Sequence, residues 1–259
     1  MVRLRLIALP ALTDNYIWLL ADDAGNALVV DPGEAQPVRD ACARDGFRLR
    51  AILLTHHHPD HIAGAAALAG ETGARIHAPV DERIVDADER VRDGDRIVMA
   101  EPAVQFHVIA VPGHTSSHIA YHGEGMLFCG DTLFSVGCGR IFEGTPAQML
   151  ASLDRLAALP ADTLMCGGHE YTVANCAFAL TLDAANADLR ARSDECTALR
   201  AKGQPTMPVS LARERATNPF LRVDTPELID AIDSTRTLDR VERFGEIRRR
   251  KDDFRAPVP

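Results

Sequence analysis

The chain has 259 residues, 46% of them hydrophobic and 25% charged, the balance of a packed globular protein rather than of a disordered or fibrous one. Its formal charge of −9 disfavours bulk attraction to nucleic acid or to an anionic membrane, so neither is expected as a partner. No apolar run approaches the roughly 20 residues that a membrane-spanning helix needs.

The first elements are expected to be strands. Leu4, Leu6 and Ala8 recur at every second position of an aliphatic run, and Pro10 cuts that run short with no small-residue cleavage site after it, which argues against a signal peptide. Further strands are predicted at 16–21, 27–30, 51–55, 75–77, 96–99, 104–111, 119–122, 126–129 and 163–166, where short aliphatic runs lie between Gly, Pro, Asp and Asn. Helices are predicted at 37–45, 62–72 and 146–158, the last with Thr145 as N-cap and Pro146 in its first turn. Beyond residue 170 strands are expected to stop. Helical patterns take over at 173–183, 187–202, 211–216 and 237–251, separated by Gly203, Pro205, Pro208, Pro219 and Pro226. The expected organisation is a strand-rich α/β domain at 1–168 and a small helical domain at 169–259, without the βαβ alternation of a doubly wound sheet. The six cysteines show no paired metal-type spacing and read as reduced, mostly buried thiols of a cytoplasmic protein.

The chemistry concentrates in Thr55-His56-His57-His58-Pro59-Asp60-His61, which places five ligand-type groups in six positions. In an extended segment residues two apart share a side, so His56 and His58 face one ion together while His57 points elsewhere. Pro59 forces a turn, and Asp60 begins the helix at Ile62, aiming Asp60 and His61 back toward the same place. Three later segments repeat one local pattern, an apolar strand, then glycine, then a ligand-type residue: Gly113-His114, Gly130-Asp131 and Gly168-His169. His56, His58, Asp60, His61, His114, Asp131 and His169 are too many donors for one tetrahedral ion. If Asp131 bridges, two ions receive four ligands each, as in two-metal hydrolases whose ions lie about 3.5–4 Å apart. All donors are nitrogen or oxygen, which suits zinc, iron or manganese. His77 and His107 read as structural, and His118 and His122 flank another strand.

These residues resemble the metallo-β-lactamase superfamily, through Thr55–His61, Pro112-Gly113-His114, Gly130-Asp131 and Gly168-His169. Within it the chain is similar to the glyoxalase II (hydroxyacylglutathione hydrolase) family, through Thr13-Asp14-Asn15-Tyr16-Ile17, Gly137-Cys138-Gly139-Arg140, Asn218-Pro219-Phe220 and Arg248-Arg249-Arg250-Lys251. The resemblance implies an αβ/βα sandwich followed by a small α-helical C-terminal domain, two divalent metal ions, most simply zinc, on the seven groups above, and hydrolysis of S-D-lactoylglutathione. It implies that Arg140, Tyr171, Arg248 and Lys251 hold glutathione. Phe142 stands where some relatives have a tyrosine that helps to bind it. Asp131 as the bridge and Asp60 as an orienting carboxylate are the two acidic residues expected to serve catalysis.

The tail makes independent physical sense. Six basic residues against two acidic ones between Arg240 and Lys251 suit the two carboxylates of a glutathione thioester, with the rest of the cluster a solvated face. A monomer is expected. The alternatives are another hydrolase of the superfamily, such as a lactonase or β-lactamase, a di-iron redox protein, and a non-catalytic binding module. The Arg140 segment and basic tail oppose the first, His58 where such redox relatives carry glutamate opposes the second, and the complete ligand set opposes the third.

Overall fold

The structure, a computed structural model, describes residues 3–255. The chain forms two compact units: one comprises the chain up to Ala110 with Ser117–Gly130, the other Val111–Ser116 with the chain from Asp131 onward.

The first unit contains β1 (Leu4–Ala11), β2 (Asn15–Asp22), β3 (Asn26–Val30), α1 (Gln36–Asp45), β4 (Arg48–Leu53), α2 (Pro59–Ile62), α3 (Ala65–Thr72), β5 (Arg75–Pro79), β6 (Glu89–Val91), β7 (Arg96–Ala100), β8 (Ala103–Ala110), β9 (Ile119–Gly123) and β10 (Met126–Gly130). One sheet runs β1-β2-β3-β4-β5-β6, antiparallel across its first three strands and parallel after them. A second, antiparallel run is ordered β10-β9-β8-β7. On β2, Ile17, Leu19 and Ala21 join Val29 and Ile52 under Val38 of α1 and Leu68 of α3. The alternate residues Trp18 and Leu20 are also buried, so this strand is covered on both faces. Each such buried leucine or isoleucine stabilises the unit by about 1.5–3 kcal/mol. Tyr121 on β9 donates to the Leu54 carbonyl at 2.7 Å and fixes where the chain leaves β4 toward the histidine cluster.

In this unit two elements differ from the expectation. β1 continues through Pro10 because it is the edge strand, where a missing N–H costs no ladder bond. The helix expected over 62–72 is two pieces, and the first begins at Pro59, a residue suited to a first helical turn. The break falls at Gly64, where a Cβ would lie 2.5 Å from the Glu34 carbonyl carbon.

The second unit contains β11 (Leu133–Phe134), β12 (Gly137–Cys138), α4 (Pro146–Ala157), β13 (Leu164–Gly167), α5 (Thr172–Leu182), α6 (Ala187–Ala201), β14 (Val209–Ser210), α7 (Leu211–Thr217), α8 (Pro226–Ile232) and α9 (Arg240–Asp253). Thr145 caps α4 in a capping box with Gln148, as the sequence predicts. Strands do not stop at residue 170, since β14 pairs antiparallel with β13. Pro226 opens a helix instead of only separating two, with Thr225 at the N-cap position. The last helix starts at Arg240 rather than 237 because the Asp239 side chain accepts from the Glu242 N–H and ends the loop there. The boundary expected at 168/169 falls inside this unit. Mixed sheets followed by a helical C-terminal region are the expected fold class.

Candidate metal centre

Four of the seven expected ligands belong to the first unit, and a residue overlooked in the sequence organises them. Asp31, just past β3, is buried and sits at φ +52°, a conformation that a non-glycine residue adopts only when its surroundings hold it. Its carboxylate accepts from the Thr55 N–H at 2.8 Å and from the Thr55 hydroxyl at 2.6 Å. It lies 3.0 Å from Nδ1 of His61. A carboxylate facing that ring can only accept, so Nδ1 of His61 carries the hydrogen and Nε2 keeps its lone pair, 3.4 Å from Asp60 Oδ2. The Thr55 hydroxyl has spent its hydrogen on Asp31, so its oxygen accepts from Nδ1 of His56 at 3.0 Å. Nε2 of His56 is thereby left as a donor atom.

His56 Nε2 lies 3.1 Å from Nδ1 of His58, a separation at which two ring nitrogens share a proton or a cation. Asp60 is held by Asn15, whose amide donates to its Oδ2 at 3.0 Å and to its backbone carbonyl at 3.1 Å. His118 stacks on His56 with ring centroids 4.5 Å apart and donates Nδ1–H to its neighbour's carbonyl. His57 turns toward Asp81, 3.6 Å away. Gly130, at φ +45°, ends β10 where a Cβ would lie 2.3 Å from Thr55 Oγ1. The sharp turn before Asp131 therefore requires glycine.

The second unit brings together the other three. Asp131 Oδ2 lies 3.4 Å from Nε2 of His114 and 3.3 Å from Nε2 of His169. Nδ1 of His114 donates to the Arg140 carbonyl at 2.8 Å, so in His114 as in His61 it is Nε2 that is left to bind. His169 is placed by its neighbour. Glu170 accepts from the Thr206 N–H at 2.9 Å and from its hydroxyl at 2.7 Å. Nε2 lone pairs converging with carboxylate oxygens are the donor chemistry of a divalent metal site, and the residues present fit one.

The expected glutathione-binding residues also lie in this unit. The Tyr171 ring stacks on His169 at 4.8 Å and 3° between planes, and the Phe142 ring lies edge-on to His114 at 5.2 Å. The Arg140 side chain is exposed, with Nε 3.4 Å from Asp252. Lys251 sits over the rings of Phe178 and Phe254, and burial lowers the pKa of its ammonium. Arg248 is buried and donates to the Cys138 carbonyl at 2.7 Å.

Asp31 and Glu170 carried no expected role in the sequence, and Thr55 and Asn15 stood there only as members of motifs. Asp31 has a signal in Val30-Asp31-Pro32-Gly33, a ligand-type residue at the end of an apolar strand followed by turn formers, without the preceding glycine of the other three sites.

Residues 12–169 match the family model described as "Metallo-beta-lactamase superfamily", and residues 170–254 the one described as "Hydroxyacylglutathione hydrolase C-terminus". The chain is 52% identical over 257 residues to the hydroxyacylglutathione hydrolase of Xanthomonas campestris, covering 98% of this chain and 100% of that one. The chain belongs to the hydroxyacylglutathione hydrolase (glyoxalase II) family of the metallo-β-lactamase superfamily. A second hydroxyacylglutathione hydrolase, of Methylobacillus flagellatus, is 49% identical over 249 residues, covering 96% and 99% of the two chains. Among solved structures, ETHE1 from Myxococcus xanthus superposes with a TM-score of 0.64 at 26% identity, covering 96% of this chain and 98% of that one. A metallo-β-lactamase from Staphylococcus aureus shares the fold at a TM-score of 0.63 and 19% identity, covering 100% of this chain and 74% of that one. Membership of this family makes the histidine and aspartate groups a metal-binding set. Among the described residues no helix is long and apolar enough to cross a membrane.

Proposed function

We propose that the protein is a thioester hydrolase that converts S-D-lactoylglutathione and water to glutathione and D-lactate, the second step of methylglyoxal detoxification. The observation that carries this reading is Asp131 facing both His114 and His169 beside a segment that bears the exposed Arg140, in a chain about half identical, end to end, to enzymes named hydroxyacylglutathione hydrolase.

His56, His58 and His114 would hold one divalent ion, and Asp60, His61 and His169 the other, with Asp131 common to both. Zinc is the first assignment, and the nitrogen and oxygen donors also suit iron or manganese. When bound, such ions lower the pKa of water from 15.7 toward about 7 and polarise the substrate carbonyl. The chain's own residues do the rest. Asp31 and Thr55 hold the rings of His56 and His61 with Nε2 outward. Asn15 holds the Asp60 carboxylate, which would orient the nucleophile. No general acid is required at the leaving group, because a thiol with a pKa near about 8.5 departs as thiolate.

Arg140, Arg248 and Lys251 supply cations for the glutathione carboxylates, and Tyr171 and Phe142 supply ring faces beside the reacting centre. Segment 169–259 acts as the substrate-binding part and 1–168 as the dimetal part. The enzyme is taken to be a cytoplasmic monomer, in keeping with its six free cysteines. A lactonase or other thioesterase of the same fold is the competing reading, and comparison of kcat/KM separates the two. S-D-lactoylglutathione is expected to exceed acyl-homoserine lactones, nitrocefin and a simple acyl thioester by at least 100-fold, on the order of what lost carboxylate contacts cost. A lactone hydrolysed faster than the glutathione thioester overturns the assignment.

A further inference from the structure

His57 and Ser117 stand in two of the motifs that carry the metal ligands, and neither is among the seven expected donors. Both meet the same carboxylate. Asp81, just past β5, is buried. Its Oδ1 accepts from the Arg83 N–H at 3.0 Å and from Arg83 Nε at 2.8 Å, and its Oδ2 from Arg83 Nη2 at 2.7 Å. Arg83 approaches from the solvent side, with its side chain 47% exposed. These bonds alone close the 81–83 turn and balance the charge. Oδ2 nevertheless also accepts from the Ser117 hydroxyl at 2.5 Å. Nδ1 of His57 faces the same oxygen at 3.6 Å, beyond hydrogen-bond length but within reach of its charge. Arg83, and then Ser117, hold the Asp81 carboxyl well below the usual carboxylate range, so it is ionised at neutral pH.

The two segments that converge on Asp81 pack against each other within the first unit. The Ile119 N–H donates to the Thr55 carbonyl at 3.0 Å, and the His118 ring stacks on His56 with 16° between planes. The His57 ring lies 4.7 Å from that of His58, and His58 in turn 4.7 Å from His56. Ser117 precedes His118, and His57 separates His56 from His58, so Asp81 meets each segment one residue from a stacked ring. Without Asp81 the 117 backbone is free to slide along the 55–57 backbone. The His56 ring then tilts with its stacking partner, and a metal donor has to be held within about 0.5 Å of its productive position.

We infer that Asp81 is a positioning residue of the metal centre: through Ser117 and His57 it locks together the segments that carry His118 and His56, and so aims the donor atoms of His56 and His58. Its kinetic consequences rest on the proposed thioester hydrolysis; its effect on metal binding does not.

The test compares wild type, D81N, S117A and S117T by four measurements: zinc affinity from chelator competition, melting temperature, kcat on S-D-lactoylglutathione, and the inhibition constant of glutathione. D81N is expected to lose zinc affinity by about 10–100-fold, the usual consequence of removing a group that orients ligands. S117A, which leaves every Arg83 bond in place, should lose about tenfold. S117T keeps the hydroxyl and should bind zinc within twofold of wild type. At saturating zinc, kcat should fall by at least threefold in D81N and S117A, while the glutathione constant stays within twofold. If D81N does not fold, the two serine variants carry the test alone. A lowered melting temperature in D81N and S117A with zinc affinity unchanged overturns the inference in favour of a purely structural, turn-closing role. S117T that binds zinc as weakly as S117A also overturns it, because the hydroxyl is then not the link. Wild type that binds zinc but leaves S-D-lactoylglutathione intact defeats the proposed function, and the chelator titrations still decide the role of Asp81.

Discussion

Asp31 Oδ2 lies 3.0 Å from Nδ1 of His61, and this one bond determines which nitrogen of the ring remains to bind a metal. The same carboxylate reaches His56 through the Thr55 hydroxyl, so a single acid governs two rings. Asp31→Asn preserves shape, and asparagine tolerates the positive φ at this position. It replaces one acceptor oxygen with a donor that opposes either the Thr55 or the His61 hydrogen. Zinc affinity measured by chelator competition should fall by about 10–100-fold with little change in far-UV circular dichroism. Unchanged affinity would remove Asp31 from the account.

Gly139 tests the fit between the Arg140 segment and Asp131. An alanine there meets the Asp131 carbonyl oxygen at 1.9 Å, so one of the two backbones must move by an ångström or more. A shift of that size near a reacting centre costs roughly 100-fold in rate. Gly139→Ala should fold, as judged by its melting temperature, and show kcat lowered by about that factor; a kcat within threefold of wild type would show that the segment accommodates the methyl.

Phe142 is 62% exposed, and its ring lies against His114 without a hydroxyl to offer a substrate. Phe142→Tyr adds one donor beside the proposed glutathione site. A net hydrogen bond of about 1 kcal/mol corresponds to roughly a fivefold lower KM for S-D-lactoylglutathione at similar kcat. No change in KM would place position 142 away from the peptide part of the substrate.

Glu246 gives a pH prediction outside the site. Arg249 and Arg250 hydrogen-bond to its carboxylate and pull its pKa down from 4.5 to about 2. A carboxyl whose pKa is depressed by folding adds stability that is fully present above the unfolded-state pKa and is lost as pH falls through the folded-state value. The contribution is therefore intact at pH 7 and fades between about pH 4.5 and 2. After allowance for solvent screening it amounts to about 1 kcal/mol. Glu246→Gln should lower the melting temperature at pH 7 by a few degrees, with the difference narrowing toward pH 3. An equal difference at both pH values would assign the loss to packing.

The features legible in the sequence are those that local pattern controls. Short aliphatic runs bounded by turn formers mark β1 and β2, and Thr145-Pro146 marks the start of α4. The short strands at Glu89–Val91, Leu133–Phe134, Gly137–Cys138 and Val209–Ser210 have too few residues to show a period. The break at Gly64 depends on backbone from residues 32–35, which no local window contains. At the metal centre the spacing of His56, His58, Asp60 and His61 announces ligands, and the family resemblance supplies the enzyme class. The groups that aim the rings were harder to see. Asp31 lies 24 residues before Thr55, and the Arg140 carbonyl acts on His114 as backbone rather than as arginine. Arg248 is legible as a member of the basic run expected to hold glutathione, whereas its burial against Cys138 and Phe220 is not.

A two-metal thioester hydrolase is tested by metal content from mass spectrometry paired with the rate of S-D-lactoylglutathione loss in the same samples. Purified protein should hold close to two divalent ions per chain. Chelation should abolish turnover, and zinc should restore it in step with reloading to two. Full turnover in metal-free protein, or saturation of both content and rate at one ion per chain, would contradict the account.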